Sequence, residues 1–327
     1  MWDDFLYEMA HRRTLIFRKT SLASATMISV PALTLVALLG SPVFLPAEQL
    51  HRRLNKSSDP LVILDARIDK QNGAYLPDSR QIDWRDFLEH DTTTFLNLWA
   101  FHRNGKISTD RNRIQRQLSQ LGLQIEDNIV VYGDAVHGFG EEGRIWWMLK
   151  FLGFSRVSIL DGGIAAWRSK GFRISAKPAI SIEPSKIALP TVTTSSLRTT
   201  LTQLREAMKT PKLVLLDTRT RSEFEGKTPY YSKRGGRIPG ALHLFWKSLL
   251  RDDGTIRGER EIAQTLERFD ISNESRIVAY CTGGVRSAFV QAVLTHYGYP
   301  NIGNYDGSWW EWSKDNRLPV ELEKSVR

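Results

Sequence analysis

Short apolar runs recur along the chain, and each ends in a polar or glycine-containing turn. Leu61–Leu64 and Leu213–Leu216 run into Asp, and the apolar stretches within Asn128–Gly133 and Arg276–Cys281 run into loops. Runs of this length, rich in Val, Ile and Leu, are typical of buried strands. Helical segments such as Ser287–His296 come after some of them. Strands that alternate with helices predict an α/β fold around a mainly parallel sheet.

The same pattern occurs twice in the chain, in the same order. The matching segments are 61–67 with 213–219, 128–133 with 276–281, 151–154 with 296–299, and 160–163 with 305–308. Four matches in one order indicate two copies of one α/β unit. We therefore predict two related domains over 48–175 and 196–327, each a mainly parallel sheet flanked by helices. Residues 176–195, rich in proline and threonine, have the composition of a linker.

Composition fits this organisation. The 327 residues are 41% hydrophobic and 25% charged, which is enough apolar material for two cores. The net charge is +9, but basic residues alternate with acidic ones and form no Lys/Arg block. We therefore expect no nucleic-acid partner, and only a general attraction for small anions.

The N-terminal segment, residues 1–47, has the pattern of an export signal. Arg12, Arg13, Arg18 and Lys19 precede an uncharged, largely apolar run over Thr20–Ala47. A positive region before an apolar run favours transfer of the downstream chain across the membrane. The run is also longer than the roughly 20 residues that span a bilayer. We expect a periplasmic or otherwise exported protein, with either a cleaved signal peptide or an uncleaved membrane anchor.

The chain has one cysteine, Cys281, so neither an intramolecular disulfide nor a cysteine metal cluster can form within it. A strand ends at this cysteine, turns through Gly283 and Gly284, and enters a helix. The glycines let backbone N–H groups converge, and the helix adds its positive N-terminal end. Such a loop lowers a thiol pKa and stabilises a persulfide anion. The sequence therefore predicts a reactive thiol, with no metal and no organic cofactor.

Several motifs resemble those of the tandem-domain rhodaneses, over nearly the whole chain after the N-terminal segment. They are the loop 281–287, the strand end Asp217–Arg219, the turn 236–241, and the segment 305–312. The resemblance implies two rhodanese folds, with a non-catalytic first domain and a catalytic second domain. Gly133 stands where Cys281 stands in the other copy, so the first domain has no nucleophile there.

The resemblance also implies sulfur transfer. Cys281 would attack the outer sulfur of a small anionic donor and then pass it, from a persulfide, to a thiophilic acceptor such as cyanide or a thiol. Arg286 and Arg219 are candidates to bind the donor anion. Alternatively, Arg286 forms a salt bridge that braces the loop, and Arg219 an ion pair with Asp217. The residues expected to bind substrate are Thr282, Gly283, Gly284, Val285, Arg286, Ser287 and Arg219.

Loop length and sequence bear on the substrate. The loop from Cys281 to Arg286 is one residue shorter than the Cys-x5-Arg loop of phosphatases on the same fold, which favours sulfur over phosphorus. Thiosulfate is the donor we expect first. A 3-mercaptopyruvate sulfurtransferase and a persulfide carrier with little turnover are the alternatives.

Overall fold

The structure, a computed structural model, describes residues 41–56, 60–68, 73–89, 105–179, 181–191, 196–228 and 232–322. The predicted export run before residue 41 lies outside these ranges. Among the described residues, no helix is long and apolar enough to cross a membrane. The described residues all belong to one compact unit within Gly40–Arg327.

The first sheet has five strands in the order β1-β5-β4-β2-β3. All of its strand pairs are parallel. The strands are β1 Phe44–Leu45, β2 Leu61–Asp65, β3 Arg80–Gln81, β4 Asn128–Tyr132 and β5 Val157–Leu160.

The second sheet repeats this order as β6-β10-β9-β7-β8, again with parallel pairs. Its strands are β6 Arg198–Thr199, β7 Leu213–Asp217, β8 Leu242–His243, β9 Arg276–Tyr280 and β10 Ile302–Tyr305. Asp65 pairs with Tyr132 in the first sheet as Asp217 pairs with Tyr280 in the second. The identical order and register confirm the predicted repeat and the predicted α/β class.

Helices connect the strands and cover the sheets. They are α1 Ala47–Lys56, α2 Arg111–Gln120, α3 Glu141–Phe151, α4 Gly163–Ser169, α5 Leu201–Ala207, α6 Arg221–Phe224, α7 Glu259–Glu267, α8 Arg286–His296 and α9 Ser308–Lys314. Two 3-10 helices lie at Trp84–Phe87 and Trp246–Leu249. Local sequence sets the first residue of two of these helices, α5 and α6: Thr200 and Thr220 each form a capping box with the residue three positions later.

Helices α3 and α8 occupy corresponding places in the two domains, and they pack against each other. Both are almost entirely buried. At Gly143 the approach is so close that an added Cβ would lie 2.4 Å from the Cα of Phe289. A glycine in the first turn of α3 therefore lets the first domain approach the first turns of α8 closely.

The first domain begins earlier than the predicted boundary at residue 48. The β1 residues Phe44 and Leu45 are buried, and β1 pairs with β5 at the sheet edge. The N–H of Asp161 donates to the carbonyl of Leu45 at 3.0 Å. The prediction that residues up to 47 lie outside the fold was wrong here. In sequence, this strand is continuous with the apolar run, and only its distant partner in β5 marks it as part of the sheet.

The predicted linker is docked rather than free in its described part, residues 176–179 and 181–191. The N–H of Ala179 donates to the carbonyl of Ser79, and that of Ser185 to the carbonyl of Ser119. Ile187 is buried in the core. The described part of this segment therefore packs along the first domain.

Candidate active site

Cys281 lies at the carboxyl end of the central strand β9, between that strand and helix α8. In parallel α/β sheets, ligands bind at this edge. The side chain is buried, and its Sγ accepts a hydrogen bond from the N–H of Gly284 at 3.1 Å. The loop thus turns back over the sulfur immediately before α8 begins at Arg286.

Opposing effects set the pKa of Cys281. Burial raises the pKa of the thiol, whereas the positive charge of Arg286 and the backbone N–H groups of Ser287 and Gly283 lower it. The lowering effects prevail, so the pKa lies below its ordinary value. At a given pH, a larger fraction of Cys281 is therefore ionised to the thiolate than in an ordinary buried cysteine.

A buried carboxylate on α6 holds Arg286. Glu223 accepts from both terminal nitrogens of Arg286, at 2.7 and 2.8 Å, and from the hydroxyl of Thr282 at 2.7 Å. Burial raises the pKa of Glu223, but the hydrogen bonds and the positive charge of Arg286 lower it by a larger amount, so the pKa is about 2. Arg286 therefore braces the loop, as the salt-bridge alternative holds, while its charge still acts on Cys281. The sequence did not reveal this role of Glu223, because the only pattern that includes it is the capping box with Thr220.

The turn after β10 is hydrogen-bonded to the loop that follows β9, residues 281–287. The N–H of Cys281 donates to the hydroxyl of Ser308 at 3.1 Å, and the N–H of Trp310 donates to the carbonyl of Thr282 at 2.9 Å. The ring of Trp310 lies against Gly283, where an added Cβ would come within 2.3 Å of it. Trp310 therefore lies beside the loop and lines the cavity.

The remaining predicted loop residues also come together around the sulfur. Gly284 has a φ of +77°, a conformation that favours glycine, and its carbonyl accepts from the amide of Asn304 at 3.0 Å. Ser287 donates to the side-chain oxygen of Asn304 at 2.7 Å. Val285 lines the cavity in front of the sulfur. Asn304 is a second loop-supporting residue that the sequence did not reveal.

Arg219 is not placed to bind substrate. It is 1% exposed, donates to both carboxylate oxygens of Asp217, and stacks on the ring of Trp309 at 4.7 Å. The equivalent pair in the first domain, Arg67 with Asp65, has the same geometry although no cysteine is nearby. The Asp-x-Arg spacing folds the guanidinium back onto the strand end. The structure thus matches the ion-pair alternative and corrects the prediction of a donor-binding role.

A cavity of about 360 Å³ opens in front of Cys281. Both domains form its walls, which are mostly apolar. Phe139 and Ile68, from the first domain, are 53% and 37% exposed. Among the described residues that line it, the cations are Arg85 and Arg286, and each is paired with a carboxylate. The lining residues are Ile68, Trp84, Arg85, Phe139, Glu141, Thr220, Glu223, Thr228, Cys281, Thr282, Gly283, Val285, Arg286 and Trp310.

The corresponding position in the first domain is filled by a carboxyl group. A Cβ added to Gly133 would lie 1.9 Å from Oε2 of Glu142. Glu142 is 1% exposed, and burial raises its pKa to about 8, so the group is mainly neutral at pH 7. A protonated acid therefore occupies the space that a side chain at position 133 would need.

Comparison with known proteins agrees with this geometry. The Rhodanese-like domain family matches residues 46–170 and 200–315. A putative thiosulfate sulfurtransferase 1 of Mycobacterium bovis is 28% identical over 80% of this chain and 92% of its own. A thiosulfate sulfurtransferase of Azotobacter vinelandii is 32% identical over 65% of this chain and 76% of its own.

A solved structure shares the fold. The anaerobic ergothioneine biosynthesis enzyme from Chlorobium limicola, in complex with trimethyl histidine, superposes with a TM-score of 0.74 at 20% identity. The match covers 86% of this chain and 70% of that one. With two matched copies and a cysteine at the strand end of the second, the chain belongs to the rhodanese-like sulfurtransferase family.

Proposed function

We propose that the protein transfers a sulfane sulfur from thiosulfate to a thiol through a persulfide on Cys281. The thiolate attacks the outer sulfur of thiosulfate, the S–S bond breaks, and sulfite leaves with the bonding electrons. An acceptor thiolate then attacks the outer sulfur of the persulfide, and the Cys281 thiolate leaves. Electrons and atoms balance without an added oxidant or reductant.

One observation carries this proposal. The Sγ of Cys281 accepts the N–H of Gly284 at 3.1 Å at the N-terminus of the 11-residue helix α8, and Cys281 lines an open cavity. Backbone N–H groups and a helix N-terminus stabilise negative charge. They therefore favour both the attacking thiolate and the persulfide, and no histidine base is required.

The cavity bears on the choice of acceptor. Its walls are mainly apolar, and Phe139 and Ile68 expose large hydrophobic side chains. A volume of about 360 Å³ is in the range of small-molecule sites. These features support an organic thiol, with an apolar body against the first domain, over cyanide as the physiological acceptor. The thiosulfate sulfurtransferase relatives support thiosulfate as donor.

Intact-mass analysis and turnover together test the proposal. Incubation with thiosulfate should add about 32 Da, the mass of one sulfur, and a thiol acceptor should remove it. Cys281→Ser should fold, gain no mass and show no turnover; because the chain has one cysteine, this variant is the matched control for any label. Parallel assays with 3-mercaptopyruvate distinguish the donors. Added mass on Cys281→Ser, or turnover by it, would refute the persulfide scheme.

A further inference from the structure

A buried arginine of the first domain contacts the catalytic loop of the second. Arg144 lies on α3, directly after Gly143, and is 2% exposed. Its guanidinium donates to the carbonyl of Gly284 at 3.2 Å and to the carbonyl of Gly105 at 2.6 Å. It also stacks on the ring of Trp147 at 4.5 Å. These contacts fix the side chain between the two domains.

The bond from Arg144 acts on the residue that holds the sulfur. The N–H of Gly284 points at the Sγ of Cys281, and the carbonyl of the same residue accepts from Arg144. Holding this carbonyl fixes the peptide plane between Gly284 and Val285, and so limits the freedom of the backbone next to the N–H that bonds the sulfur. The fit is close, because a Cβ at Gly284 would lie 2.8 Å from the guanidinium.

Arg144 also changes the charge balance at the loop. The charge of Arg286 is partly offset by its bidentate pair with Glu223. The carboxylate that acts on Arg144 is Asp306, which is already paired with Arg198 at 3.1 Å. Two guanidinium groups therefore share one carboxylate. Burial lowers the pKa of Arg144 to about 10, so it stays charged at neutral pH. A charge that is buried away from water acts strongly on a nearby anion, because the protein interior screens it less than water does.

We propose that Arg144 of the first domain is a positioning residue for the reaction at Cys281. It holds the carbonyl of Gly284 in place. It also supplies a positive charge that favours the Cys281 thiolate, because Asp306, the carboxylate that acts on it, is already paired with Arg198. Its further role, in stabilising the persulfide, rests on the proposed function. The first domain thus contributes to the chemistry of the second, through the close approach that Gly143 permits.

Alkylation of the full chain by iodoacetamide across pH tests this role without requiring sulfur transfer. The single cysteine makes the rate a measure of the Cys281 thiolate. Arg144→Gln should react about tenfold more slowly near neutral pH, and the difference should vanish at high pH, because losing a nearby opposite charge raises a thiol pKa. Arg144→Lys should recover most of the reactivity.

Two further variants sharpen the test. Arg198→Gln should also slow alkylation near neutral pH, because the freed Asp306 then neutralises Arg144; this variant remains informative if Arg144→Gln does not fold. Lys150→Gln removes a positive charge from the far end of the same helix and should leave the profile unchanged. The other charged groups that line the cavity at Cys281, which all four variants retain, are Arg286, Glu223, Glu141 and Arg85.

The outcomes separate the inference from the proposed function. Unchanged alkylation profiles in Arg144→Gln and Arg198→Gln would overturn the inference. So would an equal loss of rate at every pH, which a purely structural role predicts. If the profiles shift as expected but thiosulfate loads no sulfur, the proposed function fails and the positioning role stands.

Discussion

Replacing Glu223 by glutamine removes the carboxylate that pairs with Arg286 beneath the catalytic loop. In the folded protein, Glu223 is 4% exposed and accepts both terminal nitrogens of Arg286. Burial raises its pKa, yet Arg286 brings it down from 4.5 to about 2. At about 1.4 kcal/mol per pKa unit, this shift corresponds to about 3 kcal/mol of stability at neutral pH. We therefore expect Glu223→Gln to lose about 3 kcal/mol.

The loss should depend on pH in a definite direction. The folded pKa of Glu223 lies below its unfolded value, so its contribution is fully present above about pH 4.5 and disappears as pH falls toward about 2. The stability difference between the unchanged protein and Glu223→Gln should therefore shrink below about pH 4.5. The reactivity of Cys281, by contrast, should increase in Glu223→Gln. Without its carboxylate, Arg286 favours the Cys281 thiolate more strongly, so alkylation at low pH should become faster.

Urea unfolding at neutral and acidic pH measures the stability, and iodoacetamide alkylation measures the thiolate. The matched control is Glu206→Gln, which breaks an exposed pair with Lys209 and should cost no more than about 0.5 kcal/mol. A Glu223→Gln protein as stable as the unchanged one would refute the reasoning. If the stability lost in Glu223→Gln stayed constant from neutral pH down to about pH 3, that would contradict the electrostatic origin of the loss.

Three other changes have distinct expected outcomes. A chain that starts at Glu48 lacks β1 and should be less stable by at least about 2 kcal/mol than one that starts at Ser41, because the buried side chains of Phe44, Leu45 and Ala47 are lost; equal melting temperatures would contradict this. Gly133→Ala should lose about 1 to 3 kcal/mol through its clash with Glu142, while the folded fraction keeps its turnover; a fully stable variant, or one that folds without turnover, would count against it. Arg219→Gln should lose about 3 to 5 kcal/mol in urea unfolding and keep its KM for thiosulfate, and a raised KM at unchanged stability would restore the donor-binding role.

The sequence alone determined the class of fold and the number of domains, and it predicted the nucleophile. Strand runs and an ordered repeat predicted two parallel α/β units, because alternation of apolar strands and helices is a local property of the chain. The loop after β9 predicted a reactive thiol at Cys281 because glycine turns and helix starts are also local signals. The start of the first domain was placed too late because β1 pairs with β5, more than a hundred residues away.

Which side chains surround the sulfur was decided only by the tertiary structure. Arg219 and Arg286 both belong to motifs of the second domain, yet one folds onto Asp217 and the other pairs with Glu223 beside Cys281. Arg144 precedes the Gly284 that it contacts by 140 positions, and no local pattern predicts that contact. A buried charge is satisfied by whichever partner the packing of two domains brings within a few ångströms, and that distance is a property of the folded molecule rather than of sequence spacing.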